Sequence, residues 1–148
     1  MADIKLKNYT TSIPAERTIL EIEKLLADFG ARTVVKEYLE DGRAHFLAFK
    51  IGGNLTYKLP ANISGVYNVI YGNKTSRRGR GTKQSREQQA YRVAWRIIKD
   101  WLHAQLSLIE SGQGNPEQVL LAYAYDGKRT LYEAWVENGR LLKGREEK

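Results

Sequence analysis

The chain has 148 residues, 42% apolar and 28% charged, a balance that fits a single folded domain and excludes a disordered chain. It holds no cysteine, which excludes disulfides, thiolate metal sites and a cysteine nucleophile, and fits a reducing cytosol. The net charge is +7; no run approaches the roughly 18 apolar residues of a membrane span, and "MADIKLKNYTTSIPAERT" lacks the apolar core of a secretory signal.

Residues 1–11 are polar and read as extended. "SIPAERTILEIEKLLADFG" reads as a helix with Ser12 as cap, Pro14 in the first turn and Gly30 at the end. Ile19, Ile22, Leu26 and Phe29 make its apolar stripe. "ARTVVKEYLEDGRAHFLAFKIGG" reads as a β-hairpin, with Asp41-Gly42 suited to a type I′ turn. After Gly52-Gly53, "NLTYKLP" supplies a third strand, with Leu55, Tyr57 and Leu59 alternating and Pro60 as its stop. "ANISGVYNVIYG" fits either a short helix or a covering loop.

A mobile basic loop is expected over about 73–84, rich in Gly, Ser, Thr and Arg. From about Ser85 to Ile109 the spacing predicts the longest helix. Tyr91, Ala94, Trp95, Ile97, Ile98, Trp101, Leu102, Leu106, Leu108 and Ile109 lie in a wide apolar arc, so this helix is expected to be the central core element. "SGQGNPEQ" breaks it. "NPEQVLLAYAY" reads as a short helix or a strand, and "TLYEAWVENG" as a short helix with the capping-box pair Thr130 and Glu133 and a terminal Gly139. "KGREEK" is expected to fray. The expected fold is α+β in one domain, 1–148: a helix, a three-stranded antiparallel sheet, a long core helix and short C-terminal helical elements, with helices covering one face of the sheet.

The charge is concentrated. Lys74, Arg77, Arg78, Arg80, Lys83, Arg86, Arg92, Arg96 and Lys99 are nine bases against the single acid Glu87, a net +8 over residues 74–99. The other 15 bases and 16 acids leave −1. Such a cluster is the electrostatic footprint expected of a polyanion-binding surface. Arg92, Arg96 and Lys99 recur at i, i+4 and i+7, so they are expected to form an exposed stripe along the long helix. Guanidinium forks suit phosphate, and the glycines between them admit backbone N–H groups. Tyr71 flanks the loop and is the best placed aromatic for base stacking. The C-terminal tyrosines and Trp135 are expected to pack against the long helix. The same basic run also fits a solvated loop, with arginine stems covering apolar neighbours, or a docking patch for an acidic protein.

Little else points to chemistry. His45 and His103 stand 58 residues apart, in no ligand-spaced cluster, and the carboxylates are scattered. "GRGTK" lacks the spacing and the preceding strand of a phosphate loop. No catalytic residue, metal site or cofactor is assigned.

Two resemblances bear on function. "KNYTTSIPAERTILEIEKLLADFGA" together with "AYRVAWRIIKDWLHAQLSLIE" resembles a family of small proteins of tailed bacteriophages and prophages. That likeness implies a viral origin and a place of action in the bacterial host cytoplasm; it implies no catalytic residues. Locally, Gly42, His45 and Phe49 in the hairpin and "GRGTKQSREQQA" at the long helix resemble the double-stranded RNA-binding domain. That second likeness implies phosphate contacts by Lys83 and Arg86 and a minor-groove contact by His45. The chain departs from that pattern at Arg43, where the domain has proline, and at Lys83-Gln84, where it has tandem lysines.

The expected function is a phage-encoded, non-catalytic nucleic-acid-binding accessory protein. It would contact the phosphates of DNA or RNA without sequence preference, through Tyr71 and the nine bases of the cluster. The alternative is an inhibitor or modulator that docks on a host protein complex such as a defence nuclease or polymerase.

Overall fold

The computed structural model describes residues 5–72 and 81–139. Lys74, Arg77, Arg78 and Arg80, and with them most of the expected basic loop, lie outside the described residues, as does the expected frayed end. The elements run in the order α1 (Ala15–Asp28), β1 (Thr33–Tyr38), β2 (Ala44–Lys50), β3 (Thr56–Lys58), α2 (Ile63–Tyr71), α3 (Lys83–Glu110), α4 (Pro116–Leu120), a 3-10 turn over Leu121–Tyr123, and α5 (Leu131–Asn138). The fold is α+β, with an antiparallel sheet ordered β1-β2-β3 and one long helix. No helix among the described residues is long and apolar enough to cross a membrane. The chain divides into two compact units, Met1–Leu26 with Ala61–Ala104, and Ala27–Pro60 with Gln105–Lys148.

In the first unit, α1 buries Ala15, Thr18, Ile19, Ile22 and Leu26, the one-sided spacing of an amphipathic helix. It starts at Ala15, later than a Ser12 cap would place it, and the Thr18 N–H donates to the Pro14 carbonyl at 3.2 Å. The segment before it departs from the expected extended chain at residues 7–10. They form a turn in which Asn8 takes φ 65°, a left-handed value that asparagine tolerates better than most residues. The ambiguous "ANISGVYNVIYG" is a helix, α2, because the Asn62 side chain accepts from the Gly65 N–H and satisfies an otherwise orphaned donor. Helix α3 begins at Lys83 rather than Ser85: Thr82 Oγ1 accepts from the Ser85 N–H at 3.0 Å and caps it. Within this unit α3 buries Ala90, Tyr91, Val93, Ala94, Trp95, Ile98 and Leu102.

In the second unit, β2 buries four consecutive residues, Phe46, Leu47, Ala48 and Phe49, so both of its faces are covered. That explains its continuous apolar run, since alternation belongs to strands with one wet face. β1 is an edge strand, mostly exposed. The hairpin turn differs from the expected type I′. The Gly42 N–H donates to the Leu39 carbonyl at 2.9 Å and the Leu39 N–H to the Arg43 carbonyl at 2.8 Å. Only Gly42 of the central residues has positive φ, at 89°, so this is a three-residue loop closed by a left-handed glycine. Asp41 favours it: one carboxylate oxygen accepts from the Arg43 N–H at 3.0 Å and the other from Arg43 Nε at 2.9 Å.

β3 is short, with Tyr57 buried and Leu55 exposed, so the expected alternation holds only at Tyr57 and Leu59. "NPEQVLLAYAY" proves to be helix first and extended chain afterwards. Asn115 caps α4 by accepting from the Gln118 N–H at 2.8 Å. Past the 3-10 turn, Ala124 bridges Tyr57 and the Tyr125 N–H donates to the Thr56 carbonyl at 2.8 Å. Tyr125 then packs against Phe46 of β2, ring centroids 5.4 Å apart. The expected capping box of α5 is complete: the Thr130 N–H donates to Glu133 Oε1 at 2.8 Å and the Glu133 N–H to Thr130 Oγ1 at 3.2 Å.

Candidate nucleic-acid interface

The described part of the basic cluster begins where α3 does. The Thr82 cap fixes the first turn, Lys83 is exposed there, and Arg86 follows one turn later on the same side. Arg86 is held from several directions. Its Nε donates to Tyr67 Oη at 3.2 Å, its Nη1 donates to the Gly81 carbonyl at 3.1 Å, and its guanidinium lies 5.7 Å from the centre of the Tyr71 ring. Tyr67 and Tyr71 stand four residues apart on α2, so their rings meet on one face, with centroids 5.0 Å apart and planes tilted by 53°. Burial pushes the Tyr71 phenol above the ordinary tyrosine value, against the opposing pull of the Arg86 charge. The result is a guanidinium held over the Tyr71 ring and hydrogen-bonded to the Tyr67 hydroxyl, at the positive end of a long helix.

The expected exposed stripe of Arg92, Arg96 and Lys99 requires correction. All three are half-buried, and two of them face α1. Arg96 Nη1 donates to Glu21 Oε1 at 2.8 Å and to Thr18 Oγ1 at 3.2 Å. Lys99 Nζ lies 3.6 Å from the same Glu21 oxygen, and Arg17 Nε donates to Glu21 Oε2 at 3.1 Å. One carboxylate thus answers three cations, and the Arg96 hydrogen bond above all holds its pKa below the usual glutamate value, against the effect of burial. Arg92 Nε donates to Gln89 Oε1 at 3.1 Å, and Arg92 Nη2 donates to the same oxygen. The Gln89 amide in turn donates to the carbonyls of Tyr9 at 3.2 Å and Thr11 at 2.9 Å. Asn8 donates to Asp100 at 2.9 Å, with Lys7 Nζ at 3.5 Å from the same oxygen. The polar face of α3 is therefore largely a docking surface for α1 and the segment before it.

Tyr71 and Arg86 are brought together, with Lys83 exposed one turn before Arg86 on α3; Arg92, Arg96 and Lys99 are committed to internal contacts; Lys74, Arg77, Arg78 and Arg80 lie outside the described residues. His45 belongs to the second unit. It is exposed on β2, and its Nε2 lies 3.9 Å from Glu37 across the hairpin. Phe49, its companion in the hairpin motif, is buried in the core. Among the described residues no group of three or more His, Cys, Asp or Glu is placed to hold a metal ion.

Tyr67 went unread in the sequence although a signal for it exists: Tyr67 and Tyr71 have i, i+4 spacing, visible once Asn62 is recognised as a helix cap. Glu21 gave no such signal, since its contact with Arg96 spans 75 residues. Fold and site together describe an α+β chain that presents an arginine–tyrosine cluster at the start of α3, next in sequence to a strongly basic run. No family model, no curated protein and no solved structure matches this chain.

Proposed function

We propose that this protein is a non-catalytic nucleic-acid-binding accessory protein of a tailed bacteriophage. It acts in the bacterial host cytoplasm and grips the phosphate backbone without reading base sequence. The observation that carries the reading is the run from Lys74 to Arg86, which has six bases and no acid and leads into the capped start of α3. Phosphates gain there from the guanidinium and ammonium charges, and the helix end adds a partial positive charge. Arg96 and Lys99 contribute less than their sequence spacing suggests, because Glu21 already answers their charge. The viral origin rests on the sequence resemblance alone.

Six phosphate contacts give a log–log dependence of affinity on salt with a slope between about −4 and −5. The test is binding of labelled single-stranded DNA, duplex DNA and RNA over a salt series. Replacing Arg77, Arg78 and Arg80 together by Ala is expected to weaken binding and flatten the slope. Unchanged affinity and slope would exonerate that part of the run. No binding to any probe at low salt overturns the proposal. Capture of a host protein from nuclease-treated lysate would then favour the alternative of a protein-binding modulator.

A further inference from the structure

We infer that the cluster of Tyr67, Tyr71, Lys83 and Arg86 is a stacking site for an unpaired base, so that the ligand is single-stranded nucleic acid rather than duplex. The inference rests on the nucleic-acid reading above and narrows it.

Phosphate binding alone needs cations on flexible stems. This site offers more: two aromatic rings and a guanidinium gathered within 6 Å of one another. Tyr67 and Tyr71 are both half-buried rather than sealed in the core. The guanidinium carbon stands 5.7 Å from the centre of the Tyr71 ring, at the outer edge of cation–π range. The Tyr67 hydroxyl and the Gly81 carbonyl fix the Arg86 head, so its position is set before any ligand arrives. Every base has a π-face that such a site can take, whatever its identity. In a duplex those faces are covered by neighbouring base pairs, and only phosphates and groove edges remain. A site built from ring faces therefore discriminates by strandedness, while Lys83, exposed one turn away, meets the adjoining phosphate. This contrasts with the double-stranded RNA-binding resemblance, under which Lys83 and Arg86 would span a groove and the tyrosines would be idle.

The decisive measurement compares probes of equal charge on the unmodified protein. These are oligothymidylate or oligouridylate, whichever binds more tightly, an abasic strand of the same sugar and length, and a duplex of that length, all at one salt concentration. Stacking predicts that the abasic strand binds about tenfold more weakly than the strand with bases, and that the duplex is also weaker. Tyr71→Leu is expected to cost about tenfold on the strand with bases and little on the abasic one, with the salt slope unchanged. Circular dichroism of that variant checks its fold, and the abasic comparison does not depend on it. Equal affinity for the abasic and normal strands, or a duplex bound as tightly as the single strand, overturns this inference while leaving nucleic-acid binding intact. Absence of binding to every probe overturns both.

Discussion

Glu21 shows how one side chain redirects the reading of others. In the sequence nothing distinguishes it from the other acids of α1. Placed against Arg96, Lys99 and Arg17, it converts a candidate phosphate stripe into an internal ion-pair cluster. Because the Arg96 hydrogen bond lowers its folded-state pKa, the linked stability is fully present above the unfolded glutamate value of about 4.3 and is lost as pH falls through the lower folded value. Glu21→Gln is expected to destabilise the protein by about 1 kcal/mol at neutral pH, a modest figure because the cluster is partly solvated. Denaturant titrations of both forms should show the difference shrinking on acidification toward pH ~3. A gap constant from neutral to acid pH would show that the carboxylate charge is not what holds Arg96.

At the scale of elements, side-chain caps and turns decided what hydrophobic pattern left open. Asn62 and Asn115 turn ambiguous segments into helices, and Asp41 closes the hairpin with a three-residue loop. Gly52 ties the bend after β2 to the start of α4. Its φ is 79°, and a Cβ there would lie 2.8 Å from Pro116 Cγ. Gly42 has φ 89° with nothing within 4 Å of the same position. Alanine at Gly42 therefore adds only left-handed backbone strain, about 1 kcal/mol. Alanine at Gly52 adds that strain and a steric term, for a total of about 2–4 kcal/mol. Chemical denaturation of the two variants isolates the contribution of the α4 contact by difference; equal losses would mean that Pro116 yields at no cost. The helices at either end of the chain, the three strands and the capping box of α5 were legible beforehand, because their signals lie within a few residues. The type of turn at Asp41 was not, because Asp-Gly is compatible with several loop lengths and here Asp41 is bonded to Arg43.

At the scale of the whole molecule, the net charge of +7 matters less than which cations are already answered. Lys83 is exposed at the start of α3, whereas Lys99 lies 3.6 Å from a carboxylate. Lys83→Gln is expected to reduce the salt slope of nucleic-acid binding by about 1, the share of one phosphate contact. Lys99→Gln is expected to leave it unchanged. Titrations at a series of salt concentrations distinguish the two, and an equal reduction by both would restore the stripe as a phosphate surface. Local order alone determined much about this chain: the α+β class, the long helix, the basic run and its place between residues 74 and 99. Those follow from periodicity and from charge counted along the chain. Only the tertiary structure decided which bases remain available and which tyrosine joins Arg86. Glu21 and Arg96 are 75 residues apart, and Tyr67 and Arg86 are 19 apart. Neither approach leaves a local pattern, because each depends on how separate helices pack.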